Sequence, residues 1–290
     1  MSIKKILAPI QAEQPGEAAL EAALALAKRC KAHVAVLHIR QTPTTPASAY
    51  YPVGVVFVDE QIAELNKAME DQSTKLKAVF DAVVARSGAP VIDARAHRDD
   101  SGATASWTDQ NGILPYDVSA AARVSDLVVF GRSGEDLAVA DIELLEEVIF
   151  QSGRPVLIAP PGAMAGAPKR IAVGWNGGRE AARALGAATP LFEDAEDVAV
   201  ISVDPLPSGV EGPEAVAELL RLHGVRAEAV RIDRAKGEDA DETFLNKARD
   251  WKADLIVAGA YSHSRWRELV LGGFTRALIK QAKTPLLLAH

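Results

Sequence analysis

The segment after Gly259 reads Ala260-Tyr261-Ser262-His263-Ser264-Arg265-Trp266-Arg267-Glu268, and it leads into Gly272-Gly273-Phe274-Thr275-Arg276. The second of these stretches reads as a helix start. A glycine pair there lets backbone N–H groups approach an anion, and the helix dipole favours negative charge at that end. Arg265 and Arg267 add guanidinium groups suited to charge-assisted bonds with phosphate oxygens. The chemistry is that of a phosphate cradle. The same residues also fit a plain tight turn, with Arg265 and Glu268 paired on the surface. A second polar turn, Trp175-Asn176-Gly177-Gly178, lies earlier in the chain.

Other chemistries fit less well. Gly131-Arg132-Ser133-Gly134-Glu135 resembles a nucleophile elbow, but that motif needs glycine where Glu135 stands. Ser133 therefore reads as a turn serine. His263 and Ser264 are sequence neighbours without an obvious partner carboxylate. The six histidines show no metal-ligand spacing, and one cysteine excludes a disulfide framework or a cysteine-rich zinc site. Neither a P-loop nor a Rossmann fingerprint is present. Asp99-Asp100 and Glu146-Glu147 read as solvated charges. Trp107 reads as a cap at the end of a third strand, with ligand stacking as the alternative. Cys30, between Arg29 and Lys31, reads as a half-buried structural thiol at a helix end, with mild activation as the alternative.

Composition bounds the function class. The 290 residues carry a net charge of −7, which argues against a nucleic-acid coat. Aromatic residues at 5% are too few for a base-stacking platform. No apolar run approaches the roughly 18 residues that span a bilayer. The N-terminal residues Met1 to Leu7 lack a leader pattern, so the expected location is the cytoplasm, away from membranes.

The elements that must hold the cradle repeat. Lys5-Ile6-Leu7-Ala8-Pro9-Ile10 parallels Arg170-Ile171-Ala172-Val173-Gly174-Trp175. Ser125-Asp126-Leu127-Val128-Val129-Phe130-Gly131 parallels Ala253-Asp254-Leu255-Ile256-Val257-Ala258-Gly259. Arg154-Pro155-Val156-Leu157-Ile158-Ala159 parallels Thr284-Pro285-Leu286-Leu287-Leu288-Ala289. Three matched segments in one order indicate a duplication. Pro160 to Pro168 is Pro- and Gly-rich and reads as the linker, so the domains are expected at 1–160 and 169–290.

In the first half, strands are expected near 4–10, 33–39, 90–96, 126–130 and 155–159, with helices near 16–30, 58–86, 113–123 and 140–151. In the second, strands are expected near 170–174, 197–203, 226–232, 254–258 and 285–289, with helices near 178–192, 212–223, 239–251 and 274–283. Near-continuous Val, Ile and Leu runs mark strands covered on both faces, and βα alternation marks parallel sheets. An extra stretch near 41–70 reads as a loop followed by an extended second helix. In such sheets a ligand binds beyond the carboxyl ends of the strands, where the strand order reverses.

These residues carry a resemblance. The repeated pattern, the stretch His263-Ser264-Arg265 to Gly272-Gly273-Phe274-Thr275-Arg276 and the closing Thr284-Pro285-Leu286-Leu287-Leu288 resemble the tandem-domain members of the universal stress protein (UspA-like) family. The resemblance implies an α/β fold: two repeated five-stranded parallel sheets of order 3-2-1-4-5, adenine-nucleotide alpha-hydrolase-like, packed as an internal pseudo-dimer. A homodimer is a further expectation. It implies a bacterial stress-response role, with ATP or AMP held by a Gly-x2-Gly-x9-Gly-(Ser/Thr) loop after strand 4 and adenine met by an Asp after strand 1.

On that pattern the binding residues would be Asn176, Gly259, Ser262, His263, Arg265, Gly272, Gly273 and Thr275. The departures are specific. Ser262 replaces the second glycine, Gly273 replaces the final Ser/Thr, Thr275 lies two positions beyond, and Asn176 stands for Asp. In the first half Gly131 and Gly134 match, but Leu144 and Leu145 fill the last two positions and Gln11 stands for Asp. Leucine offers nothing to a phosphate, so that site is expected to be inactive. Other classes remain open: a slow ATPase using Arg265, Arg267 and Thr275, a sensor of another small anion, or an interaction protein docking through 41–57.

Overall fold

The computed structural model describes residues 2–41, 59–93, 102–132, 139–235, 237–260 and 273–290. The first half runs β1 (Lys5–Pro9), α1 (Glu13–Cys30), β2 (His33–Arg40), α2 (Asp59–Ser87), β3 (Thr104–Asn111), α3 (Leu114–Arg123), β4 (Leu127–Gly131), α4 (Val139–Ser152) and β5 (Val156–Ala159). The second runs β6 (Arg170–Gly174), α5 (Arg179–Phe192), β7 (Asp197–Val203), α6 (Pro213–Leu222), β8 (Ala227–Ile232), α7 (Ala240–Asp250), β9 (Leu255–Gly259), α8 (Gly273–Gln281) and β10 (Leu286–Ala289).

The ten strands form one sheet of order β3-β2-β1-β4-β5-β10-β9-β6-β7-β8. Each half alone has the expected order 3-2-1-4-5, parallel throughout. The halves meet where β10 pairs antiparallel with β5, Leu287 opposite Leu157. Alternation along each strand sends side chains to two cores. Ile6 and Ala8 join the core beneath α1, α2, α5 and α6. Leu7 joins the one beneath α3, α4, α7 and α8. Three layers result, with apolar strands covered on both sides. The linker is drawn into the first of these cores through Met164.

Matching sequence does matching work. Asp126 accepts hydrogen bonds from the amides of Lys4 and Lys5, 2.8 and 2.9 Å, and so pins the start of β1 beside β4. Asp254 does the same for Lys169 and Arg170, 2.8 and 3.0 Å. Both aspartates sit at the amino edge of the sheet, far from any ligand crevice.

The strand expected near 90–96 is not the third strand. Val91 forms a single bridge to Ala105 and is 56% exposed, while Thr104–Asn111 pairs with β2 along its whole length. A polar edge strand is stable here because its buried hydroxyls are satisfied. The ring nitrogens of His33 lie 2.9 Å from Thr104 Oγ1 and 2.9 Å from Ser106 Oγ. On the opposite face Trp107 packs 5.5 Å from the Phe80 ring, inside the strand rather than at its end. Residues 42–58, which hold the expected docking loop, and 94–101 lie outside the described residues.

Candidate functional site

The order of strands reverses between β6 and β9, which are directly paired, Ala172 with Ile256 and Val173 with Val257. The carboxyl edge of this pair is built by the turn after β6, the end of β9 and the start of α8. Helix α8 returns from β9 to the parallel β10, so its N-terminus lies at that edge.

The turn after β6 is held from several sides. The Trp175 amide donates to the Ile201 carbonyl at 2.8 Å, and its indole Nε1 donates to the Glu211 carbonyl at 2.9 Å. The Ser202 hydroxyl donates to the Trp175 carbonyl at 2.5 Å. Asn176 Oδ1 accepts the Gly178 amide at 2.9 Å, closing an Asx turn through Gly177 at φ +73°. Helix α5 starts at once, with Glu180 in its first turn and only 6% exposed. A Cβ on Gly178 would stand 3.0 Å from Asn176 Oδ1 and 3.3 Å from Glu180 Oε2, so two acceptor oxygens flank one edge of the turn.

Gly259 has a packing role of its own. A Cβ there would lie 2.5 Å from the Ala181 amide nitrogen, inside the first turn of α5. Gly131 is tighter still: its Cβ would fall 1.7 Å from the Pro15 carbonyl oxygen on α1. The first glycine of each loop is therefore required by helix-on-strand contact, whatever else it does. Gly273 opens α8, and Thr275 is buried in its first turn. Phe274 packs 5.8 Å from the Phe244 ring beneath the crevice. Ser262, His263, Arg265 and Gly272 lie in 261–272, outside the described residues.

The equivalent crevice of the first half is filled. Leu144 and Leu145 of α4 are 5% and 2% exposed. With Pro9, Ile10, Phe130 and Ile158 they leave a cavity of about 30 Å³, room for little more than one water. Arg132, which follows Gly131, is buried and committed elsewhere. Its Nη1 donates to the Ala282 carbonyl at 2.5 Å and the Ile279 carbonyl at 3.3 Å, and Nη2 donates to the Lys280 carbonyl. A first-half cation thus caps the C-terminus of a second-half helix.

Cys30 ends α1 partly buried, and burial raises its thiol pKa despite the opposing pull of Arg29. Burial thus favours the structural thiol over the activated one. Glu146 corrects another expectation: it is 8% exposed and bound to Arg276 of the other half, not solvated.

Comparison with known proteins decides the family. The model of the Universal stress protein family matches residues 2–102 and 168–290. The chain belongs to this family. A universal stress protein from Archaeoglobus fulgidus superposes with a TM-score of 0.71 at 16% identity, covering 98% of this chain and 95% of its own. A universal stress protein described as putative, from Pseudomonas aeruginosa, gives 0.57 at 15% identity, with 99% and 93% covered. No curated protein matches the chain. At these identities the neighbours establish the fold, a tandem universal stress protein architecture.

Within this universal stress protein the last helices of the two halves align from their C-terminal ends. Leu145 stands ten residues before Pro155, and Thr275 stands ten before Pro285. In sequence the stretch from Gly259 to Pro285 is two residues longer than the stretch from Gly131 to Pro155, which is why counting from the glycines puts Gly273, rather than Thr275, in the Ser/Thr place. Both side chains are buried at the same helical position. The sequence reading missed Glu180 and Arg132. A Glu beside Arg179 at a helix start gives no hint of burial, and the partners of Arg132 lie about 150 residues away.

Proposed function

We propose that the second-half crevice holds an adenine nucleotide, ATP or AMP, without robust catalysis, and that the first-half crevice holds none. The observation that carries this reading is the exchange of Leu145 for Thr275 at one buried helical position. A hydroxyl suits a phosphate or ribose neighbour, and a leucine obstructs one. The start of α8 at Gly273 adds backbone amide donors and the positive end of a helix dipole. On the other side, Asn176 and Glu180 present acceptor oxygens, which suit the exocyclic amine of adenine better than the oxo group of guanine.

The reading assigns binding rather than turnover. Asp254, the carboxylate that immediately precedes β9 in the chain, is held by two backbone amides at the opposite edge of the sheet. The biological role assigned is that of a stress-response protein in the bacterial cytoplasm. Its two domains, 1–160 and 169–290, would work as one pseudo-dimer with a single occupied site.

Mass spectrometry of acid-released small molecules tests this. Protein incubated with ATP and gel-filtered should release an adenine nucleotide. Thr275→Leu should release at least about tenfold less, a loss of 1.4 kcal/mol or more. A wild type that releases none overturns the reading.

A further inference from the structure

Among the described residues two ion pairs cross the β5–β10 joint, one on each face of the sheet. On one face Arg29, at the end of α1, meets Asp194, just past α5, with Nε 2.5 Å from Oδ2. Arg29 Nη2 also donates to the Pro190 carbonyl at 2.9 Å. On the other face Arg276 of α8 donates to Glu146 of α4, at 2.9 Å from Nε to Oε1 and 3.4 Å from Nη2 to Oε2.

Each pair joins a repeat position to its own counterpart. Arg29 lies 24 residues after Lys5, the first residue of β1, and Asp194 lies 24 after Arg170, the first of β6. Glu146 precedes Pro155 by nine residues, and Arg276 precedes Pro285 by nine. A joint with two-fold symmetry brings such counterparts together. In a joint between two identical copies they would be the same residue, facing its own charge. Here the copies carry opposite charges at both places.

We propose that this joint is charge-coded: each half accepts the opposite half and rejects a second copy of itself. Two first halves would set Glu146 against Glu146 and Arg29 against Arg29. Two second halves would set Arg276 against Arg276 and Asp194 against Asp194. Side-chain exposures of 11% at Glu146 and 18% at Arg29 limit screening of the first-with-first contacts, while Arg276 at 42% and Asp194 at 48% leave the second-with-second contacts more screened. Specificity of this kind combines attraction to the right partner with repulsion of the wrong one. The partner that fits is a half of opposite code. A second copy of the chain can join this face only by exchanging first halves for second halves. Arg132 adds to the asymmetry. Its counterpart, the residue after Gly259, is Ala260, which has no side-chain donor to return that cap.

The test uses the full chain and its melting temperature. Glu146→Arg reproduces the second-with-second contact, and Arg276→Glu reproduces first-with-first. Each should lower the melting temperature by about 3–8 °C. The double exchange, Glu146→Arg with Arg276→Glu, should recover most of that loss, because it restores opposite charges in reversed order. Arg29→Asp and Asp194→Arg should behave alike, singly and together. A chain that merely folds badly would not be rescued by the second change. Single reversals within about 1 °C of wild type, or a double exchange that sums both losses, overturn the proposal.

Discussion

Leu145 and Thr275, each ten residues before the proline that precedes the last strand of its half, are both buried on matching helices, and Leu145 closes the first-half crevice with an aliphatic side chain where the second half carries a hydroxyl. The two residues separate stability from binding. Leu145 packs with Leu144, Val148 and Ile149 in the core beneath α4. Leu145→Thr should destabilise the chain by roughly 2–4 kcal/mol, from lost apolar burial and a hydroxyl with no assured partner. Thr275→Leu should cost less, about 1–2 kcal/mol, from overpacking and the lost polar contact of a buried hydroxyl, partly offset by added apolar burial. Urea melts of the two variants check both values.

The loop glycines give a second contrast. Gly131→Ala drives a methyl to 1.7 Å from the Pro15 carbonyl, and Gly259→Ala drives one to 2.5 Å from the Ala181 nitrogen. Backbone is the obstacle in both, so α1 or α5 must shift bodily. Gly259→Ala should cost about 1–3 kcal/mol and Gly131→Ala more than that. Equal urea midpoints for the two variants would contradict the stated geometry.

Arg132 is expected to matter more than its loop setting suggests. Truncation to alanine strips three carbonyls at the end of α8, those of Ile279, Lys280 and Ala282, of a charged donor, at a cost of roughly 2–3 kcal/mol. Lysine should recover only part, because a single ammonium cannot spread over carbonyls of three residues as a guanidinium fork does. Thermal melts of the two variants beside wild type read the order directly.

Burial raises the Cys30 pKa, so its thiolate fraction at neutral pH falls below that of an exposed thiol. Alkylation by iodoacetamide should be slower than for a small thiol at pH 7.5. The linkage runs with the neutral form. Folding favours the protonated thiol, so this contribution is complete below the unfolded-state pKa and is lost as pH rises through the higher folded value. Stability measured by denaturant should therefore fall above about pH 9, and less so in Cys30→Ala.

The architecture was legible because duplication wrote it twice. Asp126 and Asp254, each ahead of an apolar run ending in glycine, marked matching strands and turned out to do matching work. The third strand was not legible. Val91 and Ile92 look like a strand, while Thr104–Asn111 looks like a loop until His33 is seen satisfying its hydroxyls. Glu146 hid for a similar reason. Beside Glu147 it resembles a solvated charge, and its partner Arg276 lies 130 residues on. At the crevice, counting from the glycines puts Gly273 in the Ser/Thr place while counting back from the prolines puts Thr275 there, because the stretch between glycine and proline differs in length between the halves. Polar residues whose partners are distant in sequence carry no local signal.

Stoichiometry of nucleotide binding is the most direct measurement. Isothermal titration of ATP into the wild-type chain should show one site per chain, unchanged in Leu145→Thr where that variant folds, and absent in Thr275→Leu. Two sites per chain, no heat from the wild type, or full binding by Thr275→Leu would contradict the account.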